Sequence, residues 1–112
     1  MSTFGEDILT TAVEGGIGYW SIITSAKRLE DLTWVEVKIK GTPETEDDFD
    51  PMIVKATQLE KVARELAKGG RIRSDLTDQI KEALKYRDAG YIDADAADCV
   101  VQFAAFGELV YG

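Results

Sequence analysis

The chain has no histidine among its 112 residues. This removes the side chain that most often moves protons near neutral pH and most often ligates zinc. Ser–His and Cys–His nucleophile pairs are excluded with it. A single cysteine, Cys99, forbids an internal disulfide and fits a reducing compartment. Set in an apolar run, Cys99 reads as a small core residue and not as a nucleophile. No apolar stretch reaches the about 20 residues of a membrane span. The N-terminus lacks the basic segment and apolar run of a secretory signal. Internal repeats and low-complexity tracts are also missing.

Acid dominates what is present. The formal net charge is −8, which argues against general nucleic-acid binding. The charge is unevenly placed: residues 55–87 carry nine bases and five acids, so that segment is +4 and the remainder −12. The basic middle leaves room for a small anionic ligand. The length suits a single domain over 1–112, and a composition 45% hydrophobic can fill its core.

Thr3 and Glu6 have capping-box spacing, and Phe4, Ile8, Leu9, Ala12 and Val13 recur at helical intervals. A helix is expected over 4–14, stopped by Gly15-Gly16. Residues 17–25 are aromatic and β-branched and predict a strand, with Tyr19 and Trp20 on opposite faces. A polar turn over 27–31 leads to the clearest strand, 33–40, where Val35, Val37 and Ile39 face one way. The two strands predict an antiparallel hairpin. Residues 41–51 form a loop whose acids (Glu44, Glu46, Asp47, Asp48, Asp50) meet no base. Residues 52–56 suit a short third strand. A second capping box at Thr57 and Glu60 opens a helix to about Lys68. Ser74 is expected to cap a third helix with a buried stripe of Leu76, Ile80, Ala83 and Leu84, ending near Gly90. Asp93 or Asp95 caps the last helix, which ends at Gly107. The expected class is α+β: a small antiparallel sheet of two or three strands packed against about four helices, with a buried C-terminal helix.

That last helix is apolar on most of its circumference, so it must lie inside. Its polar exceptions, Asp95, Asp98 and Gln102, share a stripe and need partners or a ligand. The expected structural partner of Asp98 is an arginine: Arg71, Arg73 or Arg87. Gly15-Gly16-Ile17-Gly18 lacks the spacing of a dinucleotide loop, and Asp93, Asp95 and Asp98 lack the glycine and distal glutamate of a calcium loop. Arg71 and Arg73 alternate around Ile72 just before a helix N-terminus, a pattern suited to phosphate or carboxylate. The candidate ligand-binding residues are therefore Tyr19, Trp20, Arg71, Arg73, Asp98 and Gln102. No catalytic pair, metal site or cofactor is assigned.

The run from Glu14 to Trp20 (EGGIGYW), with the run from Asp93 to Asp98 (DADAAD) and the ending Gln102 to Gly112 (QFAAFGELVYG), resembles a group of small uncharacterised proteins encoded by bacteriophages of actinobacteria such as mycobacteria. The resemblance implies a phage accessory protein in the host cytoplasm and supplies no mechanism. In that setting the leading expectation is non-enzymatic binding of a small anionic ligand such as a nucleotide signal. Tyr19 or Trp20 would stack the base, Arg71 and Arg73 would take phosphates, and Asp98 and Gln102 would add polar contacts. The alternative is an interaction module for a host protein, using the acidic loop and an exposed Trp34. A metal-dependent hydrolase is a third reading. Self-association through the apolar C-terminal helix and Leu109-Val110-Tyr111 is expected in either binding reading.

Overall fold

The computed structural model describes residues 3–112. Residues 1 and 2, which the single-domain expectation also covers, lie outside the described residues. Helix α1 (Phe4–Thr11) opens with the expected capping box. The Glu6 amide donates to Thr3 Oγ1 at 3.2 Å and the Thr3 amide to Glu6 Oε1 at 2.9 Å. Phe4, Ile8 and Leu9 bury its apolar face. Gly5 meets the carbonyl of Ala56, an approach that leaves no room for a Cβ.

The helix then widens into a π turn, Ala12–Gly16, and the helical run ends at the expected glycine pair. This wide turn lies against the start of the last helix. A Cβ on Gly16 would stand 2.9 Å from the Ala94 carbonyl oxygen. The expected strand over 17–25 is displaced. The Ile17 carbonyl accepts from the amides of Trp20 and Ser21 and from Ser21 Oγ, which closes the backbone into a turn. Tyr19 and Trp20 therefore sit in a turn before the sheet and not on strand faces.

Strands β1 (Ser21–Arg28), β2 (Trp34–Gly41) and β3 (Met52–Lys55) form an antiparallel sheet in the order β1-β2-β3. β1 pairs through Lys27 and Arg28, so the reversal begins at Leu29, later than the expected polar turn. Asp31 steadies it by accepting from the Thr33 amide at 3.0 Å. The register shifts twice: Thr24 is the extra residue in β1 between Ile23 and Ser25, and Val35 is the extra residue in β2 opposite Lys27 and Arg28. Val37 and Ile39 are buried as their alternation requires, and Val54 joins them from β3.

Helix α2 (Ala56–Leu66) starts before the Thr57–Glu60 box would place it. The Lys55 amide instead donates to Gln58 Oε1 at 3.0 Å. Helix α3 (Ser74–Tyr86) takes Ser74 as its first residue and not as its cap. It ends one turn before Gly90, where Arg87 turns left-handed at φ 52°. A short 3-10 turn, Ala89–Tyr91, leads into α4 (Ala94–Phe106). Asp93 caps α4 by accepting from the Ala96 amide at 2.9 Å, and Gly107 ends it at φ 74°. The α+β architecture and the buried C-terminal helix are as expected. Every residue from Ala96 to Gln102 is buried, within one core shared by all four helices and the sheet. α4 is half-buried over residues 103–106, and Leu109 and Val110 stay exposed. No helix among the described residues is long and apolar enough to cross a membrane.

Candidate functional site

Asp98 and Gln102 stand one turn apart on α4, so they share a face. The π turn, seated against that face at Gly16, delivers Tyr19 and Trp20 to them. Tyr19 Oη donates to Asp98 Oδ2 at 2.6 Å. Trp20 Nε1 donates to Asp98 Oδ1 at 2.9 Å, and Gln102 Nε2 donates to the same oxygen at 3.0 Å. The expected arginine partner of Asp98 is thus replaced by three neutral donors. Arg87 reaches Glu60 instead, Arg73 pairs with Asp75, and Arg71 donates to the Gly107 carbonyl.

Gln102 is fully buried, and its amide acts as a partner for the chain's end. Its Oε1 accepts from the amides of Val110 and Tyr111, each at 2.9 Å. Its Nε2 also donates to the Tyr111 carbonyl at 3.1 Å. The pinned segment lays Tyr111 across Trp20, with ring centroids 5.3 Å apart and planes 11° apart. Tyr111 Oη donates to Asp48 in the acidic loop at 2.8 Å. Phe49 and Phe106 pack the remaining edges of the indole. Trp20 is fully buried, so the expectation that it stacks a ligand base is corrected: its stacking partner is Tyr111. Tyr19 keeps an exposed ring with a fixed hydroxyl.

Titration in this cluster is shifted away from reactivity. Burial pushes the Cys99 thiol up to about 11, with Asp98 and Asp95 adding repulsion. Burial and the bond to Asp98 raise Tyr19 well above the usual phenol range. Burial and Asp48 push Tyr111 up to about 12. All three groups are held in their protonated forms at neutral pH, which suits packing and not nucleophilic chemistry. Among the described residues no group of three or more histidine, cysteine, aspartate or glutamate side chains is placed to hold a metal ion.

The six candidate residues do not share one pocket. Tyr19, Arg73, Asp98 and Gln102 border a cleft of about 370 Å³ beside the chain's end. Arg73 is engaged there by Asp75 through two contacts, at 3.2 and 3.3 Å. Arg71 lines a separate cleft of about 390 Å³ between α2 and α4. Strict alternation about the half-buried Ile72 would put both guanidinium groups on one side; the bends at residues 71 and 72 separate them instead. In the second cleft the apolar lining is Val62, Leu66, Phe103 and Ala104, with Gln58, Lys61 and Glu65 as polar lining; Glu65 pairs with Lys68. The Arg71 guanidinium lies over the Phe103 ring at 5.0 Å, and no carboxyl group pairs with it among the described residues.

Two features escape a reading of the sequence. Trp34 is half-buried under the Arg28 guanidinium, 4.2 Å above its ring, and is not the free anchor expected. The exposed aromatic pair is Tyr86 and Tyr91, stacked at 5.6 Å across the end of α3. Their spacing of five suggests no contact in a continuous helix; the left-handed residue Arg87 between them makes it. Comparison with protein families, with curated proteins and with solved structures finds no match to this chain.

Proposed function

We propose that this chain acts by binding, as a non-enzymatic phage accessory protein of the host cytoplasm that holds a small anionic ligand in the cleft between α2 and α4. One observation carries the reading: Arg71 lies over Phe103 at the cleft, with no carboxyl partner to neutralise it. A guanidinium stacked on an aromatic ring is pre-organised for a phosphate or carboxylate. Lys61 adds a second cation, the one carboxyl group lining the cleft, Glu65, is paired with Lys68, and the apolar floor suits a flat body such as a nucleotide base. Asp98, Gln102 and Trp20 serve this site at a distance, by fixing α4 and the chain's end. Calorimetric titration with mononucleotides and cyclic dinucleotides tests the reading. Saturable binding that weakens at least about tenfold in Arg71→Ala supports it, since a charged hydrogen bond is worth about 1.5–3 kcal/mol. Absence of binding across the nucleotide panel removes it.

A second reading, an interaction module for a host protein, is favoured by the exposed stacked pair Tyr86 and Tyr91. Tyrosines recur at the centres of protein interfaces. This reading requires a stoichiometric host partner that Tyr86→Ser/Tyr91→Ser no longer captures.

A further inference from the structure

The sheet register assembles a surface that net charge conceals. On β2, alternate residues from Glu36 to Lys40 point away from the helices, and Lys38 and Lys40 are exposed. The pairing adds Lys55 from β3 opposite Glu36, and Lys27 from β1 opposite the same residue. Arg28, the next residue after Lys27, falls to the other side with Trp34, which packs against the core. Four cations thus share one open face with a single carboxyl group among the described residues, Glu36, which reaches Lys27 at 3.6 Å. Ile22 lies beside Lys40 and Ile53 beside Lys38, both exposed. In a chain of net charge −8 this face is +3, which leaves −11 elsewhere.

We infer that the outer face of the sheet binds single-stranded nucleic acid. Lysines at alternate positions stand about 6.6 Å apart along a strand, and exposed isoleucines flank them. Backbone phosphates meet the lysines, while bases lie on Ile22 and Ile53. The face is too small for a folded acidic partner. Three strands about 4.8 Å apart and about 26 Å long span under about 400 Å², against about 800 Å² for one side of a stable protein interface. An extended strand needs only this plate. Salt screens the acidic remainder beyond about 10 Å, so the whole-chain charge that argues against general nucleic-acid binding leaves this local contact open.

The test is fluorescence anisotropy of labelled oligothymidylate and oligouridylate about 12 nucleotides long. Binding is expected to saturate. Three unpaired cations imply a salt slope near about −2.1, so affinity drops about 20-fold between about 50 and about 200 mM salt. Lys38→Glu/Lys40→Glu is expected to weaken binding at least about tenfold. Lys81→Glu/Lys85→Glu makes the same charge change on α3 and is expected to leave binding within about twofold once the salt is about 100 mM. Three results overturn the inference: no saturable binding at about 50 mM salt, equal loss in both double variants, or equal affinity for polyglutamate of matching length. The last result assigns the face to acidic proteins.

Discussion

Replacing Gln102 by methionine keeps the side chain's length and removes both halves of its amide. Two bonds accepted from Val110 and Tyr111 are lost, together with those donated to the Tyr111 carbonyl and Asp98. At about 1 kcal/mol net for each bond, the loss is about 3–4 kcal/mol if the chain's end stays in place. If the end lifts instead, water satisfies its backbone, and the cost becomes the stack of Tyr111 on Trp20 and the apolar area beneath it. The first route lowers global stability. The second raises hydrogen exchange at residues 110 and 111 and shifts Trp20 emission to the red. Urea unfolding with amide exchange separates them. Glutamate at this position keeps the acceptors but sets a second carboxyl group within about 3 Å of Asp98. Its penalty is expected to shrink as pH falls into the carboxyl range, when a protonated glutamate regains a donor. The reasoning is refuted if Gln102→Met unfolds within about 0.5 kcal/mol of the parent and both amides keep their protection.

Gly16→Ala forces a Cβ to 2.9 Å from the Ala94 carbonyl; it is expected to cost about 1–3 kcal/mol by denaturant titration and to loosen the Tyr19–Asp98 contact. The Cys99 thiol rises from its ordinary 9.0 to about 11 in the fold. The unfolded chain therefore loses this proton first. Its stabilisation, present below pH 9, is lost as pH rises to about 11 and amounts to about 2–3 kcal/mol. Cys99→Ala should lack this part of the alkaline decline, and thiol reagents at pH 8 should modify native Cys99 far more slowly than the unfolded chain. A native thiol that reacts at the free-cysteine rate contradicts the burial.

The contrast between β1 and α4 shows what a linear reading can reach. Helix α4 was legible from end to end, because Asp93, the apolar run and Gly107 act through local backbone geometry and period. Strand β2 was legible for the same reason, its alternation being a property of adjacent residues. β1 was misplaced because hydrogen bonds to the Ile17 carbonyl hold residues 17–21 in a turn, against the strand preference of their side chains. That Asp98 and Gln102 need buried partners also followed from position alone. Their partners did not, because Tyr19, Trp20 and Tyr111 arrive from distant parts of the chain and neutral donors replaced the expected arginine.

By itself the sequence determined the α+β class, the order of elements, the buried final helix and the polar pair within it. These follow from periodicity, caps and the cost of burying polar groups, all local in origin. Tertiary packing alone decided that Arg71 and Arg73 face separate clefts, that Trp20 is sealed by Tyr111, and that four cations share one sheet face. Each of these depends on which residues strand pairing and helix docking bring together through space, and neither local preference nor net charge carries that information.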